Sequence, residues 1–288
     1  MKKLKNTKSI VRGLILMLGL SSLFGFTPDR TFSHKKIYQM SRQEIDLLLP
    51  ELQNQYADFA SRFHALALLR LGTPYDFKAI GEGSGIEPNP VFRVDKTNCT
   101  AFVLTNMALA WASSYQQAES LMTYLNYYPV PDGKNPITYE NRRHFTADRL
   151  QTSEYFELIT TPIARPEELD TIRLILNRQE DGSHFLPISW EKEIELPFIP
   201  KAFITRELLE RLPALCGIGV IQKNLFKKGI IIAHEGILFD RGEFIHASKY
   251  KRKLVREDFY RYTRKKKLNG DGPVCDGIVL YIMKAAKR

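Results

Sequence analysis

The chain has 288 residues, 44% of them hydrophobic and 11% aromatic, with 42 Lys and Arg against 32 Asp and Glu and a formal net charge of +10. This is ample apolar material for a packed core, and it excludes a disordered or fibrous chain. Lys2, Lys3, Lys5, Lys8 and Arg12, with no acid among them, precede the apolar run Leu14 to Phe26. A basic start followed by a run too short for a comfortable membrane span reads as a secretory signal over residues 1–25. The remainder, 26–288, reads as one domain: a helical segment over 36–72 and a core over 73–288. No cysteine follows the apolar run, which speaks against a lipoprotein anchor. Removing the five signal charges from the 42 leaves 37 Lys and Arg against 32 acids, about +5. That mild excess implies no nucleic-acid partner, and the basic stretches Lys249 to Lys253 and Arg264 to Lys267 read as solvated turns. With neither CxxC nor HExxH in the chain, no metal and no cofactor is expected.

Taken in order, Ser41 and Glu44 form a capping box opening a helix that Pro50 should stop. Leu52, Tyr56, Phe59, Phe63, Leu66 and Leu71 then recur at helical spacing, predicting one helix to Gly72. Residues Asp76 to Pro90 are loop-like. Thr97, Asn98 and Thr100 are helix-starting residues ahead of an almost wholly apolar stretch, so a buried helix is predicted over about 99–113, with Cys99 at its mouth. A further helix over about 115–126 is nucleated by Ser113 or Ser114. The segment Tyr139 to Asp148 concentrates Arg142, Arg143, His144 and Asp148 beside aromatics, either as a binding cluster or as the solvated face of a helix. From residue 155 the pattern changes to short β-branched segments: 156–160, 171–176, 193–198, 218–222, 229–234, 237–239, 243–246 and 277–283 read as strands, and 205–212 and 258–262 as short helices. Helices first and strands second imply an α+β domain with an antiparallel sheet.

A cysteine at a helix start faces unsatisfied N–H groups and the positive end of the helix dipole, which should lower its pKa and sharpen it as a nucleophile. His234 and His246 flank the turn Asp240-Arg-Gly242, so a hairpin would bring the two imidazoles together. A thiol, an imidazole and a second polar group behind it form the general thiol-nucleophile arrangement. Cys216 and Cys275 either pair with each other or stay as two buried thiols, leaving Cys99 free.

The motifs LGTPY, NCTAF, HEGI and IHAS, in that order, resemble the NlpC-type cysteine peptidases, bacterial cell-wall hydrolases with a papain-like core. Tyr139 to Asp148 and the Ile-Pro-Lys at 199–201 are similar to one branch, the N-acetylmuramoyl-L-alanine amidase-like enzymes related to AmiA. The resemblance implies an α+β, papain-like fold in which the nucleophile's helix packs on an antiparallel sheet or partial barrel. It also implies Cys99 as nucleophile, His234 as general base and His246 as the group orienting it. Tyr75 would stand beside the oxyanion site, and Arg143, His144 and Asp148 would line the substrate groove. The implied activity is cleavage between N-acetylmuramic acid, including anhydro forms, and L-alanine in muropeptides. The commoner activity of the superfamily, cleavage after γ-D-glutamate, and a catalytically inactive wall-binding module are the alternatives. A monomeric, exported, periplasmic or secreted protein without stable membrane insertion is expected. Two departures from the pattern stand out: Asn98 replaces the usual Asp, and Glu235 replaces a small apolar residue. Strand alternation should turn Glu235 away from His234.

Overall fold

Ser41 and Glu44 each satisfy the other's backbone N–H, at 3.3 and 2.7 Å, and so start α1 (Arg42–Gln55). The computed structural model describes residues 35–80, 85, 87, 91–268 and 272–285, so the secretory segment expected at 1–25 lies outside the described residues. Pro50 does not stop α1 as expected. An internal proline costs roughly 3 kcal/mol. Ile45, Leu48, Leu49 and Leu52 are all buried, at about 1.5–3 kcal/mol each, and that outweighs the cost. The single helix expected from Leu52 to Gly72 is instead broken at Tyr56 to Asp58, because the Asp58 side chain accepts from Ser61 N at 2.8 Å and opens α2 (Phe59–Leu69). Then follow α3 (Cys99–Trp111) and α4 (Tyr115–Asn126), the latter capped by Ser114.

The second half runs α5 (Thr146–Thr152), β1 (Phe156–Leu158), α6 (Thr160–Ile163), β2 (Asp170–Leu176), β3 (Lys192–Pro200), α7 (Arg206–Glu210), β4 (Leu215–Ile221), β5 (Ile232–Phe239), β6 (Glu243–Ser248), β7 (Lys253–Asp258), α8 (Phe259–Arg264) and β8 (Gly277–Met283). The strands form one antiparallel sheet in the order β2-β3-β8-β4-β5-β6-β7, with β1 pairing β8 off this path. The expected α+β class with an antiparallel sheet is observed. Two expected strands, 229–234 and 237–239, are one element, β5, which starts only after Gly229 closes a 3₁₀ turn at φ 67°. β7 was hidden in a stretch read as a basic turn. Its Leu254 and Val255 are buried, and the backbone of residues 72–75 pairs with its outer edge.

Side-chain alternation splits the sheet into two faces. On one, α3 packs against β5 and β6, with α1, α2 and α4 around it, and every residue from Ala101 to Ala110 is buried. On the other, Leu208 of α7 and Phe259 and Tyr262 of α8 close over Ile218, Leu238, Phe244, Ile278 and Leu280. Cys216 and Cys275 are buried free thiols in this second core. They sit at opposite ends of the β4–β8 ladder, whose pairs run from Gly217 with Tyr281 to Ile221 with Gly277, roughly 13 Å of strand. That is too far for a disulfide.

Candidate active site

Asn98 is the N-cap of α3: its side-chain oxygen accepts from Ala101 N at 2.8 Å, which fixes Cys99 as the first helical residue. Its amide nitrogen donates to Phe77 O at 3.0 Å, tying the preceding loop to the helix. An aspartate could cap but not make that second bond, so the replacement of Asp by Asn has a structural purpose. Tyr75 is positioned from the other side. Its N–H donates to Arg252 O at 2.9 Å, and the segment is stitched further by Thr97 N to Pro74 O and Leu254 N to Thr73 O, both 2.9 Å.

β5 and β6 turn at Asp240 and Arg241, whose φ angles of 46° and 63° lie in the left-handed region, and Gly242 N closes the turn on Phe239 O at 3.1 Å. Their ladder is paired only from Phe239 with Glu243 to Ile237 with Ile245. Just beyond its end the two imidazoles meet, His234 Nε2 lying 2.9 Å from His246 Nδ1. A β-bulge between the pairs Val220–His234 and Ile221–Ile232 re-aims the chain immediately before His234. Gly236 makes room opposite: a Cβ there would lie 2.7 Å from His246 Cβ and from the Phe244 ring. Phe244 and Tyr262 pack against the His246 ring at 4.8 and 4.9 Å.

Cys99, Tyr75, His234 and His246 all line one cavity of about 1020 Å³, together with Asn98, Arg143 and His144. Both histidines are held below their ordinary value, His234 strongly, first by burial and then, for His234, by its neighbour His246. Burial and the nearby Glu235 carboxylate push the Cys99 thiol up to about 11. This reverses the expectation that the helix start would lower it. The resting pair is therefore a neutral thiol and a neutral imidazole. Burial raises the Tyr75 phenol to about 12, so it stays a hydrogen-bond donor.

Glu235 is fully buried and turned from His234 as alternation required, but it is not idle. Its carboxylate accepts from Arg149 at 2.6 Å and from Thr146 and Tyr281 at 3.0 Å each. This joins α5 and β8 to the strand that carries His234. Of the residues expected in the groove, His144 lines the cavity with its Nε2–H donating to Tyr139 O at 2.7 Å, and burial lowers it to about 4. Arg143 also lines the cavity, but its guanidinium donates to the Tyr127 and Tyr124 carbonyls and lies over the Tyr128 ring at 4.8 Å. Asp148 is not brought to the cavity. It is wholly buried, ion-paired to Lys192 at 2.6 Å and bonded to the Tyr128 hydroxyl. The segment 139–145 is not the helix of the alternative reading: Arg142 and Arg143 are buried while Glu140 is exposed, and only Thr146 onward is helix.

The family model described as N-acetylmuramoyl-L-alanine amidase-like (AmiA-like) matches residues 65–272, a span containing every residue placed in the cavity above. The chain belongs to this amidase-like family. Among solved structures, a protein of Legionella pneumophila is similar at TM-score 0.66 and 20% identity, covering 86% of this chain and 95% of its own. Two structures of an N-acetylmuramoyl-L-alanine amidase from Bacteroides uniformis are similar at TM-scores 0.59 and 0.57, with 20% and 18% identity, covering 78% and 77% of this chain and 99% and 98% of theirs. At such identities the likeness establishes the fold. No curated protein matches the chain.

In this amidase-like chain the cavity also has features that its motifs did not reveal. Lys228, Lys249, Lys251, Lys265 and Lys266 line it, and among the described residues Glu257 is the one acidic residue of its lining. Glu257 reaches the site from β7, the strand missed in the sequence, and its only sequence signal was the pair of acids Glu257 and Asp258 following the buried pair Leu254 and Val255. Tyr262 enters from α8.

Proposed function

We propose that this protein is an exported cysteine amidase that hydrolyses the amide between the lactyl group of N-acetylmuramic acid and L-alanine in muropeptides, through an NlpC-type, papain-like site. The observation that carries the reading is the shared cavity: Cys99, at the start of a buried helix, lines the same cavity as a histidine pair 2.9 Å apart. The lysine-rich lining suits the carboxylates of a stem peptide. The basic start and apolar run of residues 1–26 support export.

Because thiol and imidazole are both neutral at rest, the proton moves during attack rather than before it. The Cys99 sulfur closes on the lactyl carbonyl while its proton passes to His234, and His246 orients the imidazolium that forms. The oxyanion is met by the Tyr75 hydroxyl and by the Cys99 N–H, which as the first of α3 has no acceptor within its helix. His234 then gives its proton to the alanine nitrogen, the C–N bond breaks, and the peptide leaves. Water, deprotonated by His234, attacks the thioester and releases the muramic acid carboxylate with the thiol restored.

Mass spectrometry of purified reducing-end and anhydro muropeptides after incubation tests the bond assignment. Free disaccharide plus a stem peptide beginning with L-alanine is the expected result. Disaccharide still carrying L-Ala-D-Glu would overturn it in favour of an endopeptidase.

A further inference from the structure

Two neutral histidines joined by one hydrogen bond share a single proton between the facing nitrogens, and its placement decides whether the site works. If His246 Nδ1 donates, His234 Nε2 is the acceptor and its Nδ1 carries a proton, so no lone pair faces outward to take one from a thiol. If His234 Nε2 donates, its Nδ1 is a free base.

The far side of the pair settles the choice. His246 is 4% exposed, and its Nε2 makes no hydrogen bond among the described residues. That atom faces Glu257 Oε2 at 3.9 Å, beyond hydrogen-bond length but within ion-pair range. Glu257 is itself fixed by two ammonium groups, Lys251 at 2.7 Å on Oε1 and Lys265 on Oε2. Held between them and His246, its carboxyl stays well below the usual carboxylate range and is ionised at any working pH. At 3.9 Å an ionised carboxylate attracts an N–H and repels a nitrogen lone pair, which favours the proton on the nitrogen facing it.

We infer that Glu257 is a positioning residue: by drawing the His246 proton to Nε2, it makes His246 Nδ1 the acceptor for His234 Nε2–H and leaves His234 Nδ1 as the base. The inference rests on the reading of Cys99 and His234 as nucleophile and base, and it adds a fourth member from a strand outside the motifs. Phe244 and Tyr262, packed against the His246 ring, keep it from turning away. The groups that face His246 are His234, Glu257 and, through Glu257, Lys251 and Lys265.

The test is the tautomeric state of both histidines, read by long-range proton–nitrogen NMR correlation on the full chain labelled at histidine nitrogen, at a pH where both are neutral. In the unmodified protein His234 and His246 should each show a protonated Nε2 and an unprotonated Nδ1. Glu257→Leu should shift a measurable fraction of His246 to the Nδ1–H form and lower kcat on the order of 10²-fold, with KM little changed. Glu257→Gln, whose amide oxygen can still accept, should keep the tautomer and much of the activity. A His246 protonated at Nδ1 in the unmodified protein overturns the inference, as does an unchanged tautomer in Glu257→Leu. The unmodified spectrum decides even if the leucine variant does not fold. The spectra also decide it if the chain cleaves some other bond, so failure of the amidase reading is distinguishable from failure of the relay.

Discussion

Replacing Glu235 by Gln should weaken the fold and sharpen the thiol at once. Arg149 is fully buried, and Glu235 is the carboxylate that balances it at 2.6 Å. Breaking a buried ion pair by neutralising one partner costs about 3–5 kcal/mol, because a desolvated charge is left behind. The single amide oxygen of glutamine can still accept from Arg149 and Tyr281, and its amide nitrogen can donate to the Thr146 hydroxyl in place of accepting from it, which places the loss near 3 kcal/mol. For a domain of this size each kcal/mol moves Tm by about 2–4 °C, so a fall of about 6–12 °C is expected. The same change removes a negative charge that holds the Cys99 thiol up, so its pKa should come down from about 11. Thermal unfolding reads the first effect, and the pH dependence of iodoacetamide alkylation, mapped to the Cys99 peptide, reads the second. A Tm within about 2 °C of the parent would refute the burial argument. An alkylation midpoint that stays put or rises would refute the electrostatic one.

Three further outcomes follow from individual contacts. Gly236→Ala places a Cβ 2.7 Å from the His246 Cβ and the Phe244 ring, so it should displace the second histidine and cut kcat on the order of 10²-fold in a steady-state assay, while the protein still folds. Asn98→Ala loses the cap of α3 and the bond to Phe77 O, about 2 kcal/mol together by urea denaturation. Asn98→Asp keeps the cap and should lose about half as much; equal losses would contradict the division. Burial holds His144 down to about 4, so the unfolded chain takes up its proton first, near 6.5. Stability should therefore fall as pH drops from about 6.5 to about 4, by about 1.4 kcal/mol per pH unit from His144, with His234 and His246 adding in the same direction. Denaturation midpoints at neutral and acid pH measure this, and His144→Phe should flatten the slope.

What the sequence made legible was local chemistry. The cap at Asn98, the apolar helix behind it and the hairpin turn at Asp240 to Gly242 are short-range signals, and each is where it was read. Pro50 misled because tertiary burial of α1 outweighed a local propensity, and the periodicity across Tyr56 concealed a break marked only by the Asp58 cap. β7 was missed since most of its six residues are charged, and its pairing with residues 72–75 is a long-range event that no window along the chain contains. Glu257 was lost with it. Asp148 looked like a binding group because an acid among arginines and aromatics on paper says nothing of direction, whereas in the fold Lys192 and Tyr128 take it up. The helix start suggested an acidic thiol, but burial and the carboxylate of Glu235, distant in sequence, set the balance the other way.

The measurement that tests the central claim most directly is turnover of a purified disaccharide-peptide by the protein and by its Cys99→Ala variant, followed by chromatography and mass spectrometry, with both shown to be equally folded. The account predicts disaccharide and free peptide from the parent and none above background from the variant. Turnover by Cys99→Ala at a rate comparable to the parent would contradict it.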